Sequence, residues 1–246
     1  MGGSWIWLRY VVAKRDMQRL STGIEGLDEM LGGGIPKRHI VCVLGAYGTG
    51  KTTFALQFTH AGLVNNEKCI FISFESGERE LVLSGKNYGL DLEKYLRESF
   101  MVVKLSPTSF KASIERIESE LPALITAFGA QRLVVDSITL FEMLFDDDAA
   151  RRSALFRFCA TLKELGVTAV LTAEADKDNP MVSKYGLVEY AVDGVILLRY
   201  IRSDAMTPTT LAIEIVKMRN TWHSREIKPY DITSEGIKVH TGTEVF

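Results

Sequence analysis

The stretch Gly45-Ala46-Tyr47-Gly48-Thr49-Gly50-Lys51-Thr52 follows an apolar run at residues 40–44 and precedes a helix-forming run at 51–64. It satisfies the pattern GxxxxGK[ST] in the strand–loop–helix context that the pattern requires. Glycines let the backbone curl so that successive N–H groups point at phosphate oxygens, and the following helix N-terminus adds partial positive charge. We therefore predict a P-loop that binds ATP with Mg²⁺.

The loop and the first helical turn contain the predicted nucleotide-binding residues. Lys51 is expected to reach the β- and γ-phosphates and to act in catalysis, and the Thr52 hydroxyl is expected to bind Mg²⁺. A glycine-rich turn without function would explain the glycines but not the pair Lys51-Thr52. The full set assigned to nucleotide binding is Gly45, Ala46, Tyr47, Gly48, Thr49, Gly50, Lys51, Thr52 and Thr53. A separate run, Gly32-Gly33-Gly34, is expected to form a flexible turn.

Two acidic residues close apolar runs that read as strands. Asp136 follows Leu133-Val134-Val135, and Glu75 follows the run 69–74. Because the carboxyl ends of parallel strands meet at one edge of a sheet, Asp136 is the candidate second Mg²⁺ ligand, directly or through water. Glu75 is the candidate group that orients or deprotonates the attacking water. A solvent-exposed strand end is the alternative interpretation of Glu75.

The order of apolar runs and helix-forming stretches predicts an α/β fold with a mainly parallel sheet flanked by helices. After residue 175 a polar loop leads to β-rich segments without intervening helices, which predicts an antiparallel extension at the C-terminal end. Asp146-Asp147-Asp148 is expected to cap a helix rather than to bind a metal. The predicted strands are 40–44, 69–74, 100–105, 133–136 and 167–172, the predicted helices 51–64, 110–128 and 146–165 with helical sequence up to 95, and the β-rich segments 192–202, 209–219 and 225–240.

Length and composition suit one globular domain, which we place at residues 20–246 after an N-terminal arm, 1–19. The chain has 246 residues, 46% of them hydrophobic and 24% charged, and its net charge of −2 provides no overall attraction for nucleic acid or anionic membrane. No apolar run approaches the roughly 18–20 residues of a membrane helix. The three separated cysteines read as buried free thiols, which fits the cytoplasm. The run Trp5 to Val12 reads as a strand or arm, and Met17 is an alternative start.

Several motifs together resemble the KaiC/RadA branch of the RecA-like ATPases, and KaiC domains most closely. The resemblance covers nearly all of residues 20–241 and implies a RecA-like P-loop NTPase fold. Besides the P-loop, the matching motifs are Ser21-Thr22-Gly23-Ile24-Glu25-Gly26-Leu27-Asp28, Gly-Gly-Gly-Ile-Pro at 32–36, Phe74-Glu75, Val134-Val135-Asp136-Ser137, Val170-Leu171-Thr172-Ala173-Glu174 and Lys217-Met218-Arg219-Asn220-Thr221-Trp222-His223.

The resemblance implies a homo-oligomer, a hexameric ring in preference to a filament, with ATP between subunits. Lys217 and Arg219 match family positions that reach the γ-phosphate held by the neighbouring subunit, and His223 matches a nearby position. Residues two apart on a strand point to the same face, which agrees with this role. Without the resemblance, a solvated basic face is the simpler interpretation of the two cations.

Departures from the family pattern leave other functions open. KaiC domains usually carry two adjacent glutamates where Glu75 is here followed by Ser76, so regulatory assembly gated by ATP with little turnover is one alternative. A DNA-dependent ATPase of the RadA-paralogue type is another, and nucleic-acid binding stays uncertain. The loop Asp176–Lys184, at the position where RecA relatives meet single-stranded DNA, balances its charges and contains no stacking aromatic before Tyr185. Tyr10-Val11-Val12-Ala13 only loosely resembles the element that links RadA subunits.

Overall fold

A nine-stranded sheet dominates the computed structural model, which describes residues 17–105, 116–201 and 209–244. The strand order is β11-β10-β9-β8-β3-β7-β6-β4-β5. Strands β3 to β8 pair in parallel, and β9, β10 and β11 continue the sheet in antiparallel pairing. The predicted parallel core with a C-terminal antiparallel extension is thus confirmed. The strands are β1 Arg19–Leu20, β2 Ile35–Pro36, β3 Ile40–Gly45, β4 Cys69–Ser73, β5 Phe100–Lys104, β6 Arg132–Asp136, β7 Thr168–Glu174, β8 Gly194–Ile201, β9 Thr210–Met218, β10 Lys228–Thr233 and β11 Gly236–Val239.

Helices cover both faces of the sheet. One apolar cluster lies under α1, α2, α3 and the β10–β11 hairpin, and the other lies under α4 to α7. All six residues of β3 are buried because the strand is covered on both faces, which explains why its sequence is apolar without alternation. The helices are α1 Leu27–Met30, α2 Lys51–Val64, α3 Glu78–Asn87, α4 Leu121–Phe128, α5 Ile138–Glu142, α6 Asp148–Leu165 and α7 Val188–Ala191, with a 3₁₀ turn at Glu93–Tyr95 and a π turn at Arg116–Glu120.

Within the helix expected at 110–128, the described residues form a π turn at Arg116–Glu120 before the regular helix α4. Residues 106–115 lie outside the described residues, and the regular helix α4 begins only at Leu121. Pro122 lies in its first turn, where the missing N–H of a proline needs no acceptor within the helix. The helix ends at Gly129, whose φ of 70° is a left-handed conformation that glycine adopts without strain.

The first β-rich segment after residue 175 belongs to the parallel core and not to the antiparallel extension. Strand β8 pairs in parallel with β3, and the chain reaches it through the loop after β7 and the short helix α7. The crossover returns the chain to the amino-terminal edge of the sheet, where Asp193 N–H donates to Ile40 O at 2.8 Å. A parallel neighbour of β3 requires such a crossover, and α7 is too short to have been recognised by its periodicity.

Three smaller predictions are confirmed. The Asp147 carboxylate accepts a hydrogen bond from Ala150 N–H at 2.7 Å and so caps α6. The residues of the Gly32–Gly34 run have φ values of 68°, 113° and 113° and form the turn between α1 and β2. Cys42, Cys69 and Cys159 are buried free thiols.

The predicted N-terminal arm is mostly outside the described part of the chain. Residues 1–16, which include the Trp5 to Val12 run and Tyr10-Val11-Val12-Ala13, lie outside it. Arg19 belongs to the small β1–β2 sheet, and its guanidinium donates to Leu31 O at 2.7 Å and to Gly34 O at 3.0 Å. The boundary between arm and domain stays a prediction.

Candidate nucleotide-binding site

The predicted phosphate loop connects the carboxyl end of β3 to the N-terminus of α2. Gly50 is the N-cap of α2, and the first turn of this helix carries no acidic side chain. The N–H groups of Lys51, Thr52 and Thr53 belong to that first turn, so they have no acceptor within the helix. Thr53 itself is buried, and a phosphate contact from it would come through this main-chain N–H. The strand–loop–helix context predicted for the motif is present.

Gly48 and Gly50 of the loop combine a left-handed backbone conformation with close side-chain neighbours. Gly48 and Gly50 have φ values of 75° and 86°, in the left-handed region that disfavours other residues. A Cβ on Gly48 would lie 2.6 Å from Tyr200 Oη, and one on Gly50 would lie 2.7 Å from Ile232 Cδ1. Both the backbone conformation and the close neighbours therefore require glycine.

Lys51 lies inside the curl of the loop. Its ammonium donates to Gly45 O and Ala46 O, each at 2.9 Å. Burial lowers the pKa of Lys51 from its ordinary value, while the carboxylates of Asp136, Glu174 and Glu75 act in the opposite direction. The loop thus holds one ammonium group among three carboxylates at its open edge.

Thr52 and Asp136 are in direct contact. Thr52 Oγ1 donates to Asp136 Oδ2 at 2.8 Å, and Thr172 Oγ1 donates to the other oxygen, Oδ1. A hydroxyl and a carboxylate are hard oxygen ligands, and Mg²⁺ commonly binds to one or two such groups plus substrate phosphates. Among the residues that the structure describes, no cluster of three His, Cys, Asp or Glu could hold a metal by protein side chains alone. The pair fits a magnesium ion shared with a nucleotide.

Glu75 lies at the same edge of the sheet, just beyond β4. Its side chain is exposed, and its N–H donates to Ser73 Oγ at 3.3 Å. Ser73 is paired in register with Asp136 on β6, which brings the Glu75 turn beside the Thr52–Asp136 pair. The carboxylate is open to solvent.

Sequence reasoning missed two residues of this edge. Glu174 ends β7 and pairs in register with Gly45, and Thr172 orients Asp136. Glu174 could have been found by the rule that identified Glu75 and Asp136, a carboxylate that ends an apolar parallel strand. Thr172 lies in the matching motif Val170–Glu174, but its contact with Asp136 depends on the pairing of β6 with β7.

Lys217 and Arg219 lie at the opposite, amino-terminal edge of the sheet. Arg219 N–H donates to Asp193 O at 2.9 Å, and Asp193 in turn pairs with Ile40 at the start of β3. From Ile40 to Gly45 a strand of this length covers roughly 16 Å, so these cations do not meet the phosphate loop of their own chain.

Lys217 lies on β9 and Arg219 directly follows that strand, and both side chains donate to main-chain carbonyls of residues 189–192. Lys217 Nζ donates to Glu189 O at 2.6 Å and to Val192 O at 2.8 Å, and Arg219 Nη2 donates to Tyr190 O at 3.2 Å. Burial lowers the pKa of Lys217, and the neighbouring Arg219 charge acts in the same direction. His223 follows on the same edge, and its Nδ1 lies 2.8 Å from Ser224 O.

The basic side chains of the Asp176–Lys184 loop lie close to carboxylates. Lys184 Nζ lies 3.7 Å from Glu174 Oε2, and Lys177 Nζ lies 3.9 Å from Asp178 Oδ2. The Tyr185 ring packs against the Arg151 guanidinium, 4.1 Å from the ring centroid. Tyr185 and Lys184 thus make contacts within the chain, whereas the Lys177 side chain is 88% exposed. Single-strand binding usually needs a basic groove and a free stacking platform.

The mostly parallel sheet, the glycine loop at its carboxyl edge and the Thr52–Asp136 pair together define an ATP-binding protein of the RecA-like P-loop class. A family model described as "ATPase: KaiC" matches residues 20–244. The chain therefore belongs to the KaiC ATPase family.

Individual relatives agree with the family. The chain is 35% identical over 238 residues to the circadian clock oscillator protein KaiC of Prochlorococcus marinus subsp. pastoris, an alignment that covers 92% of this chain and 46% of the relative. With the KaiC of Synechococcus elongatus it shares 32% identity over 233 residues, 90% of this chain and 44% of the relative. The chain thus spans less than half the length of these curated relatives.

A solved structure has the same architecture. It is a KaiC-like protein from the hyperthermophilic archaeon Pyrococcus horikoshii OT3, with a TM-score of 0.79, 32% identity, and coverage of 92% of this chain and 100% of that one. In the ranges 17–105, 116–201 and 209–244, no helix has both the length and the apolarity needed to cross a membrane.

Proposed function

We propose that this chain binds ATP with Mg²⁺ at the phosphate loop and hydrolyses the β–γ phosphoanhydride at an interface between copies of itself. One observation carries the proposal: Lys51 and Asp136 lie at the carboxyl edge of the sheet, whereas Lys217 and Arg219 lie at the amino edge. Phosphoryl transfer needs positive charge around the transferred group. A neighbouring copy that presents its amino edge to the first chain's loop supplies that charge.

The P-loop side of the site binds and orients the triphosphate. Its main-chain N–H groups and Lys51 hold the phosphates, and Thr52 with Asp136 would hold the metal ion. The ion, when bound, neutralises charge on the β- and γ-phosphates. Glu75 is the group placed to orient and deprotonate the attacking water, because it is the exposed carboxylate beside this pair.

The neighbour's side of the interface contributes Lys217 and Arg219. Their side chains are held by main-chain carbonyls of residues 189–192, and Arg219 Nη1 also lies 3.8 Å from Asp193 Oδ1. Charge supplied in trans in this way acts as an arginine finger does. A closed ring of six is the favoured assembly, a filament is the alternative, and the reduced thiols fit a cytoplasmic location.

Complementation between two inactive variants tests the proposal. Glu75→Gln is expected to bind ATP but to lose hydrolysis, and Lys217→Ala is expected to lose hydrolysis with smaller effects on binding. When the two variants are assembled together, about a quarter of the interfaces of a heterologous assembly combine an intact Glu75 with an intact Lys217. We expect the mixed assembly to recover a corresponding part of the wild-type rate.

Glu98→Gln is the matched control, since Glu98 is an exposed glutamate just before β5, at the edge away from the P-loop. It should leave the rate unchanged. If the Glu75→Gln variant hydrolysed ATP at the wild-type rate, the assignment of Glu75 as the general base would be wrong. If the assembly that contains both Glu75→Gln and Lys217→Ala chains stayed inactive, the proposal of a site shared between chains would be wrong.

A second candidate function is assembly regulated by ATP with negligible turnover. The single observation in its favour is that Ser76 stands where KaiC domains usually have a second glutamate. Ser76 N–H donates to Ser73 Oγ at 2.9 Å, so this position supports the turn and adds no carboxylate. Partner capture that differs between ATP and ADP, without measurable hydrolysis, would favour this function.

A further inference from the structure

Two tyrosine hydroxyls contact the main chain of the phosphate loop from strands outside the strand–loop–helix unit. Tyr230, on β10, donates its hydroxyl to Thr49 O at 2.6 Å. Tyr200, on β8, donates to Tyr47 O at 3.2 Å. Tyr230 is 1% exposed and Tyr200 is 44% exposed, so the first contact is shielded from water and the second is not.

These bonds restrict the direction of two N–H groups of the loop. A trans peptide unit is planar, so its C=O and its N–H point in opposite directions. When Thr49 O is held by Tyr230, the N–H of Gly50 points away from Tyr230, and when Tyr47 O is held by Tyr200, the N–H of Gly48 points away from Tyr200. Glycine has little conformational preference of its own, so without such bonds these peptides rotate more freely.

The surrounding packing brings the same strands close behind the loop. The positions that a Cβ of Gly48 or Gly50 would take lie 2.6 Å from Tyr200 Oη and 2.7 Å from Ile232 Cδ1. Gln57 of α2 bonds to the main chain of β11, accepting from Ile237 N–H at 2.7 Å and donating to Ile237 O at 3.2 Å. The β10–β11 hairpin, which carries Tyr230, is therefore hydrogen-bonded to α2, the helix that follows the loop.

Burial also keeps Tyr230 in its donor form. Burial raises the pKa of Tyr230 well above its ordinary value, and the neighbouring Tyr200 acts in the same direction. The hydroxyl therefore keeps its proton at neutral pH.

We propose that Tyr230 and Tyr200 are positioning residues of the nucleotide site: they hold the carbonyls of Thr49 and Tyr47 so that the N–H groups of Gly48 and Gly50 are aimed at the phosphates before ATP arrives. Both residues act through the loop's main chain. The inference rests on nucleotide binding at the loop, the first step of the proposed function, and does not depend on hydrolysis or on a subunit interface.

Titration of the whole chain with Mg·ADP tests the inference. Tyr230→Phe removes one hydroxyl and leaves the ring in place. A hydrogen bond contributes about 1 kcal/mol net, so its loss should raise the Kd for Mg·ADP about five- to tenfold. Tyr200→Phe, whose bond is longer and exposed, should raise it about two- to threefold, a difference of roughly 0.5 kcal/mol.

Tyr95→Phe is the control, because Tyr95 lies in the 3₁₀ turn before β5, where its ring packs against Lys94 and His60. Its Kd should equal that of the wild type. Where ATP turnover is measurable, KM should rise with Kd while kcat changes little. The reason is that the oriented loop stabilises bound ATP and the transition state equally, so its loss weakens both to the same extent. The free energy of unfolding without nucleotide is measured for each variant, to separate a loss of fold from a loss of phosphate binding.

Two results overturn the inference. One is a folded Tyr230→Phe with the wild-type Kd, even if its free energy of unfolding is lower. If Tyr230→Phe does not fold, the test rests on Tyr200→Phe. The second overturning result is then a Kd for Mg·ADP in Tyr200→Phe that equals that of the wild type. Wild-type protein that binds Mg·ADP and never hydrolyses ATP contradicts the proposed hydrolysis but leaves this inference standing when the variants weaken binding. Wild-type protein that binds no Mg·ADP contradicts both.

Discussion

At the scale of single residues, Glu142 is a buried acid without a partner. Its side chain is fully buried at the end of α5, and among the described residues neither carboxyl oxygen has a hydrogen-bond partner. Burial raises the pKa of Glu142 to about 8, the Glu189 carboxylate adds to this rise, and the Arg151 cation opposes it. A neutral carboxyl group is the form that such a site tolerates.

Glu142 should make the stability of the protein decrease as pH rises. Below pH 4.5, the ordinary value, both folded and unfolded chains hold the proton, whereas between pH 4.5 and about 8 only the folded chain does. The unfolded state then binds fewer protons, so the free energy of unfolding falls across this window and levels off above it. Glu142→Gln should remove this dependence. The free energy of unfolding of the variant, relative to that of the wild type, should therefore be ~2–4 kcal/mol higher at pH 8 than at pH 4.5.

Urea denaturation of both proteins at several pH values measures this effect. Glu93→Gln is the control, since Glu93 is exposed in the 3₁₀ turn and should show the wild-type pH dependence. A constant difference between Glu142→Gln and the wild type from pH 5 to pH 8 would contradict the assignment of a neutral buried acid.

At the scale of elements, the three adjacent aspartates at the N-terminus of α6 differ in their contacts. Asp147 caps the helix through Ala150 N–H, while Asp148 pairs with Arg151 one turn along. Asp146 is exposed and precedes the helix. The acids therefore serve the N-terminus of the helix, as expected from its partial positive charge.

Asp147→Ala should lower the free energy of unfolding by ~1 kcal/mol, because it leaves a main-chain donor of the first helical turn without its acceptor. Asp146→Ala is the matched control and should change stability by less than about half of that. Thermal or urea unfolding of both variants measures the difference. Equal losses in the two variants would mean that negative charge alone, and not the cap geometry, stabilises α6.

At the scale of the whole molecule, the two edges of the sheet carry the two sets of residues that the proposed function combines. The P-loop, Asp136 and Glu75 lie at the carboxyl edge, and Lys217 with Arg219 lies at the amino edge. One chain cannot join them, because the length of β3 separates the edges. Copies stacked head to tail around a ring can join them.

Specific hydrolysis should therefore depend on protein concentration. Dilution below the concentration at which copies associate should lower the rate per chain, because each loop then lacks the neighbour's cations, while Mg·ATP binding to the loop persists. Mass in solution and hydrolysis, measured on the same dilution series with and without Mg·ATP, check this. A species of one-chain mass with the full rate per chain would contradict the shared site.

Much of the site was predictable because its determinants are local. The glycine spacing, Lys51-Thr52 and the strand before them lie within a few turns of chain, and Asp136 and Glu75 each end an apolar run. The same rule applied to Glu174 would have added it. The contacts of Tyr200, Tyr230 and Thr172 were not predictable, because these residues reach the site through pairing of strands distant in sequence.

By itself, the sequence determined the class of fold, the loop that binds phosphate and the carboxylates at its edge, since residue types at fixed short spacings suffice for these. Only the tertiary structure decided that β8 joins the parallel core, that two tyrosines stand behind the loop, and that Lys217 and Arg219 lie a full strand away from it. The physical reason is that strand order and edge assignment depend on non-local pairing and packing, which the periodicity of a single segment does not encode.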